Sequence, residues 1–167
     1  LFNWWKTQNT KHRNLWPGLA TYRIGSTPTF TAGEIGDQIE LTRRSAETSG
    51  AVHFSFRSLR SDMGGIQKAL TASIYQRDAI TPAFGWIRAR RPLAPKVSIT
   101  RDAGYVRASW AERGTPEAFW FVVYAKDKDG WTYSIVPSAT RSITLSADRK
   151  IEKIVVTSVD RLGSESR

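Results

Sequence analysis

The sequence predicts two parts, an α/β segment over residues 1–91 and an immunoglobulin-like β-sandwich over residues 92–167. In the first part, short apolar runs alternate with segments that have the periodicity of a helix. Pro92 and Pro95 then interrupt the pattern, because proline stiffens the chain and cannot continue a helix. Beyond them, apolar residues recur at every second position in short runs separated by turn sequences, which is typical of a sandwich.

The first strand–helix unit begins with a mostly apolar run between two glycines, residues 19–24, which is typical of a buried strand. Thr31 and Glu34 follow with the spacing of a capping box, which predicts the start of a helix. Ile35 and Ile39 then lie on one face of that helix, because residues four apart are neighbours on a helical surface.

The second unit repeats this order, with a strand at residues 51–56 and a helix after it. Asp62 is the candidate cap of this helix, and Ile66, Leu70 and Ile74 form its apolar stripe. An order of strand, helix, strand, helix implies right-handed crossovers and parallel strands.

In the second part, alternation predicts six strands and a core that includes Trp110, Trp120 and Tyr124. Turn sequences rich in Gly, Asp and Pro separate the strands. The predicted strands are residues 97–101, 105–111, 119–126, 131–136, 142–145 and 151–159.

Two strand–helix units do not close a parallel sheet, because such sheets contain more strands and are covered on both faces. The chain also begins at Leu1 without an initiator Met. We therefore expect it to be a piece of a longer protein. Its first part would be completed either by the missing portion or by self-association with a second copy.

Composition excludes several classes of protein. With no cysteine, the chain has neither disulfides nor thiolate zinc sites, and its apolar runs are too short to span a bilayer. Lys and Arg number 25 against 15 Asp and Glu, a net charge of +10. Such an excess attracts nucleic acid, anionic lipid or acidic glycan without selecting among them.

Three segments of the second part resemble, in order, the second, third and final strands of a fibronectin type III module. They are residues 106–110, 120–124 and 154–161, with Trp110 in the position of the core tryptophan. Residues 163–166 are similar to the terminal strand of that module. The resemblance covers residues 93–167.

The first part resembles the end of the catalytic barrel in glycosyl hydrolase-like family 10. The resemblance rests on WPGLATYRIG at residues 16–25, EIGDQI at 34–39 followed by Arg43, and GAVHFS at 50–55. The series closes with Asp78, Ala79, Ile80, Pro82 and Trp86. Members of this family are bacterial envelope lipoproteins with a (β/α)₈ barrel, often followed by a fibronectin-like or Ig-like module.

The resemblance implies that residues 19–24 and 51–56 are the seventh and eighth strands of a TIM-type barrel. Strands one to six are absent from the chain, and so are the acidic residues at their ends, where the catalytic carboxylates of the family would be sought. Glycoside hydrolysis usually needs two such carboxyl groups. The acids of the first part, none of them at the end of a predicted strand, are Glu34, Asp37, Glu40, Glu47, Asp62 and Asp78. We therefore assign no catalytic residue and expect the chain alone to be inactive.

Strand alternation selects the candidate substrate-binding residues. Val52, Phe54 and Phe56 share one face, which we expect to pack against helices. Polar side chains on the other face, near the carboxyl ends of the strands, would point into the mouth of the barrel. The candidates are Arg23, His53, Ser55 and Arg57, with Tyr22 as a stacking residue. The alternatives are a hydrogen-bonded interior role for His53 and an ion pair with a neighbouring acid for Arg23.

These observations lead to one expected function and two alternatives. We expect the chain to be the C-terminal part of a glycoside hydrolase-like protein that acts on bacterial cell-wall or envelope polysaccharide. Within that protein, the chain would contribute pocket residues and an accessory module. The resemblance implies a periplasmic or outer-membrane lipoprotein, joined to the membrane only through a lipid anchor outside this chain. We expect no cofactor, no metal and no nucleic-acid partner. The alternatives are a non-catalytic carbohydrate-binding or scaffold domain and a basic nucleic-acid-binding domain.

Overall fold

A computed structural model describes residues 1–45 and 48–167, which form two compact units, Leu1–Arg77 and Asp78–Arg167. The division lies before the proline-rich segment rather than after residue 91. It lies there because residues 78–91 bind the second unit: the Tyr133 hydroxyl donates to the carbonyl of Asp78 at 2.8 Å, and Phe84 N–H donates to the carbonyl of Leu162 at 3.0 Å.

The first unit contains four short helices and one pair of strands among its described residues. They are α1 (Phe2–Gln8), β1 (Gly18–Leu19), α2 (Ala32–Arg43), β2 (Val52–His53), α3 (Phe56–Arg60) and α4 (Ile66–Ala72). Strands β1 and β2 are parallel, with Gly18 opposite Val52 and Leu19 opposite His53, which confirms the predicted direction of the strands.

The strand predictions at residues 19–24 and 51–56 are wrong in length, since each strand has only two residues. Thr21–Arg23 forms a 3₁₀ turn, in which Arg23 N–H donates to the carbonyl of Ala20 at 2.9 Å. After β2 the chain enters α3 at Phe56. The physical reason is that each strand has a single partner strand among the described residues. Local turns therefore provide hydrogen bonds for backbone groups that further strands would otherwise pair.

The helix predictions for the first unit are confirmed in position, except that α4 ends at Ala72 and Ile74, the last residue of the predicted stripe, lies beyond it. Ile35 and Ile39 of α2 are buried with Ile66 and Leu70 of α4 in one core cluster. Asp62 caps α4, since its Oδ1 accepts the N–H of Gln67 at 2.8 Å and of Lys68 at 3.3 Å. Thr31 is the N-cap residue of α2 but makes no side-chain capping hydrogen bond.

Two three-stranded antiparallel sheets make up most of the second unit. Their strand orders are β3-β4-β7 and β6-β5-β8. The strands, which lie where alternation predicts them, are β3 (Lys96–Arg101), β4 (Tyr105–Ala111), β5 (Trp120–Asp127), β6 (Gly130–Pro137), β7 (Ser142–Ser146) and β8 (Lys153–Val159).

Both sheets contribute to one core, in which Trp110 of β4 lies 5.6 Å from Phe121 of β5, measured between ring centroids. Trp110 is buried as predicted. Trp120 and Tyr124 are only partly buried and lie outside this cluster, so their assignment to the core is wrong. Alternation explains the difference, because Phe121 and Val123 lie on the face of β5 that meets this core, whereas Trp120 and Tyr124 lie on its other face.

Candidate functional site

The carboxyl ends of β1 and β2 stay joined beyond the strands themselves. Phe54 N–H donates to the carbonyl of Leu19 at 2.8 Å, and Tyr22 N–H donates to the carbonyl of Phe54 at 3.0 Å. These bonds bring the rings of Tyr22 and Phe54 together edge to face, with centroids 5.7 Å apart. We call these two residues the aromatic pair.

In the predicted strand at residues 51–56, the face that the sequence assigns to helix packing is exposed. Val52, Phe54 and Phe56 are 51%, 66% and 72% exposed, so this expectation is wrong. Ala51, His53 and Ser55, which alternate with them, are partly buried. Period-two alternation separates the two faces of a strand, but only the neighbouring elements decide which face is covered, and no described element covers this one. We call Val52, Phe54 and Phe56 the exposed row.

His53 is held by hydrogen bonds at both ring nitrogens. Its Nδ1 lies 2.9 Å from Oγ1 of the fully buried Thr21, and its Nε2 lies 3.1 Å from the hydroxyl oxygen of Tyr75. Burial lowers the pKa of His53 and thus favours the neutral imidazole, in which one ring nitrogen donates and the other accepts. This geometry fits the alternative of a hydrogen-bonded interior histidine.

The aromatic partner of His53 is in turn held by a cation. Burial raises the pKa of Tyr75, and the charge of Arg43 opposes that rise. The guanidinium carbon of Arg43 lies 5.6 Å from the centre of the Tyr75 ring. Tyr75 therefore connects His53 to the end of α2.

The remaining candidate residues have their contacts outside the group formed by His53 and the aromatic pair. The guanidinium of Arg23 lies over the ring of Phe30, 5.0 Å from its centroid, a cation–π contact in place of the ion pair considered above. Ser55 is the N-cap residue of α3, and Arg57 is exposed within that helix. The structure therefore brings together His53 and the aromatic pair.

Two residues of the site were not selected from the sequence. Phe54 was assigned to the opposite face of its strand, and Tyr75 follows the end of α4, where no periodic pattern marks it. The one available signal for Tyr75 was its place directly after the apolar stripe that ends at Ile74.

Three carboxylates of the first unit have partners away from His53 and the aromatic pair, and Asp37 is exposed on α2. Glu34 accepts a hydrogen bond from Gln38 at 2.8 Å, Glu40 lies 3.8 Å from Arg43, and Asp62 caps α4. Glu47 lies outside the described residues. Within residues 1–45 and 48–167, no group of three His, Asp or Glu side chains could hold a metal ion. The helices in the same ranges are too short and too polar to cross a bilayer.

No protein family model matches the chain. The chain is similar to glycosyl hydrolase YngK of Bacillus subtilis (strain 168), with 27% identity over 183 aligned positions. The alignment covers 100% of this chain and 36% of that protein, so the chain spans about a third of the length of this relative. The similarity supports a glycosyl hydrolase-like relationship.

Proposed function

We propose that this chain is the C-terminal part of a glycoside hydrolase-like protein that acts on a bacterial cell-wall or envelope polysaccharide. The observation that carries the proposal is the 27% identity to a glycosyl hydrolase across the whole chain. The parallel pair of β1 and β2 supports it, because barrel enzymes carry their sites at the carboxyl ends of their strands. His53 and the aromatic pair gather at those ends.

In this proposal the first unit contributes a saccharide-binding surface. Tyr22 and Phe54 are 54% and 66% exposed, and aromatic rings bind the apolar C–H face of a pyranose. His53 positions this surface, because its bonds to Thr21 and Tyr75 fix the end of β2. The carboxylates for hydrolysis would come from a part of the protein outside this chain.

The second unit serves as an accessory module of the fibronectin type III kind. Its strand orders, β3-β4-β7 and β6-β5-β8, support this proposal, together with an antiparallel bridge between Val159 and Glu165 in the place of a terminal strand. The cell envelope remains the proposed location, with any lipid anchor outside this chain.

The test is a titration of the purified chain with soluble N-acetylglucosamine oligomers, followed by amide chemical shifts. We expect saturable binding that Tyr22→Ala and Phe54→Ala each weaken about tenfold, the effect of losing one stacking contact. Tyr105→Ala is the matched control, because Tyr105 is 40% exposed on β4 in the other unit. Equal binding by all variants would show that the aromatic pair is not the binding surface.

A second measurement tests the assignment of hydrolysis to residues outside the chain. We expect no release of reducing sugar from peptidoglycan by the purified chain. Release that is abolished by Arg23→Ala or His53→Ala would overturn that assignment.

A further inference from the structure

The second unit has a cleft at one end of its two sheets. Its volume is about 670 Å³, and it lies among the loops that follow β4, β6 and β8. Ligand pockets in proteins are commonly about 300–1,000 Å³, so the cleft has the size of a small-ligand site. Arg90, Phe119 and Arg161 are among its lining residues.

Arg161 and Phe119 form a cation–π contact in this cleft. The guanidinium carbon of Arg161 lies 4.7 Å from the centre of the Phe119 ring, which is 40% exposed. Phe119 N–H donates to the carbonyl of Val159 at 2.7 Å, which fixes the ring beside the end of β8. A guanidinium stacked on a ring is held in place while its N–H edge stays free to bind a carboxylate in a two-point contact.

The lining of the cleft carries two arginines and two acids, and these acids differ in their exposure. Arg90 is a second, exposed cation on the lining. Asp160 is buried, and its Oδ1 accepts two backbone N–H groups of the following loop at 2.8 Å each. Glu112 pairs with Arg141 at 3.3 Å. Glu117 is exposed on the lining, so the charges of the lining that face solvent are those of two arginines and one acid.

We propose that this cleft binds a carboxylate-bearing saccharide, with the carboxylate on Arg161 and Arg90 and a sugar ring beside Phe119. The carboxylate follows from the two guanidinium groups. The saccharide follows from the half-exposed ring and from Thr115 and Ser138, whose hydroxyl groups suit a polyhydroxylated ligand. That part of the inference rests on the proposed function, whereas the anion specificity rests on the cleft alone.

The experiment titrates the full chain with oligogalacturonate and, as a neutral counterpart, with its methyl ester, and follows amide shifts at Phe119 and Leu162. Arg161→Gln is expected to weaken oligogalacturonate binding about tenfold or more, the effect of losing a charge-assisted contact. Arg161→Lys keeps the charge but loses the planar fork, so it should also bind more weakly. Arg101→Gln removes the same charge at the far end of β3, and we expect it to bind as the wild type does.

Three outcomes would overturn the proposal. The first is equal binding of the acid and its methyl ester. The second is a result that indicates general attraction to a polyanion. Either Arg161→Gln and Arg101→Gln weaken oligogalacturonate binding equally, or Arg161→Lys binds oligogalacturonate as tightly as the wild type does. The third is tighter, steeply salt-dependent binding of a single-stranded oligonucleotide of equal charge, which would indicate a nucleic-acid partner. Tyr22→Ala and Phe54→Ala change the first unit. If the aromatic pair binds no saccharide, the amide shifts of Phe119 and Leu162 still test the cleft in the second unit.

Discussion

The hydroxyl of Tyr124 donates a hydrogen bond to Oε1 of Glu165 across 2.8 Å. Thr157 donates its hydroxyl proton to the same oxygen, so the carboxylate joins β5 and β8 to the C-terminal residues. Burial of the phenol, followed by the hydrogen bond to Glu165 and its negative charge, raises the pKa of Tyr124 to about 12. This phenol thus reports on whether the C-terminal residues are docked.

The free energy of unfolding should fall as the pH rises from about 10 toward about 12. The usual pKa of tyrosine is about 10, and the folded state binds the phenolic proton more tightly, so its stabilising effect is complete below about 10 and is lost through that window. Tyr124→Phe should remove this part of the pH dependence. Glu165→Gln should lower the pKa of Tyr124, which a tyrosinate absorbance titration measures. An unchanged titration in Glu165→Gln would contradict the role of the carboxylate.

Gly163→Ala should destabilise the second unit more than Gly130→Ala does. Both glycines have a positive φ, +73° and +117°, so a side chain at either position costs about 1–2 kcal/mol. At Gly163 the new Cβ would also overlap the carbonyl oxygen of Thr81, whereas at Gly130 no atom lies within 4 Å. Denaturant unfolding measures the difference. In a chain that begins at residue 93, Gly163→Ala should cost no more than Gly130→Ala, and a persistent difference would contradict the contact with residues 78–91.

Trp110→Ala should cost about 3–5 kcal/mol of unfolding free energy, the range for emptying a large aromatic site in a core. Trp110 is 5% exposed, and its Nε1 is buried without a hydrogen-bond partner among the described residues. Trp110→Phe should therefore cost less, because it keeps an aromatic ring and removes the unpaired N–H. The control is Trp131→Ala, which changes a side chain that is 48% exposed. Equal losses in both alanine variants would contradict the assignment of Trp110 to the core.

The first unit should lose stability as the pH falls below about 6.5, the usual pKa of histidine. Burial lowers the pKa of His53 in the folded state, so its neutral form is stabilising above that value, and the effect is lost as the pH falls toward the folded pKa. Thermal unfolding across this range should be less pH-dependent in His53→Gln. His12→Gln is the matched control, because His12 is exposed. If both variants reduced the pH dependence of thermal unfolding equally, the role of the His53 contacts would be contradicted.

The spacing of apolar residues in the sequence predicted the strands of the second unit and the buried faces of two helices. The six strands of the second unit follow from alternation, and the buried faces of α2 and α4 follow from Ile35, Ile39, Ile66 and Leu70. The length of β1 and β2 could not be predicted in this way, because strand length depends on partners that are distant in sequence or outside it.

The same distinction applies to the candidate site. Alternation placed His53 and Phe54 on opposite faces of the strand, but it could not tell which face the rest of the unit would cover. Tyr75 reaches His53 only because α4 packs against α2, a tertiary contact that no spacing in the sequence encodes. Alternation along β5 allows either Trp120 and Tyr124 or Phe121 and Val123 on the core face, and the structure places Phe121 and Val123 there.

We expect the purified chain to self-associate through the exposed row of Val52, Phe54 and Phe56, so a second copy and a saccharide compete for the ring of Phe54. Strands β1 and β2 form a two-stranded parallel sheet among the described residues, and parallel sheets normally have both faces covered. Burying the row in a second copy removes apolar area from water, and the open strand edges can pair further. The net charge of +10 opposes association, and since salt screens that charge, the oligomer should increase with ionic strength.

Light scattering at low and high salt measures this association against the monomer mass of 18.8 kDa. Phe54→Ser and Phe56→Ser together should shift the chain toward the monomer at every salt concentration, because they remove the largest apolar side chains of the row. Tyr105→Ser is the control, since it changes an exposed aromatic residue on β4 in the other unit. A wild-type chain that stays monomeric at high salt, or an oligomer that the double variant leaves intact, would show that the exposed row does not bind a second copy.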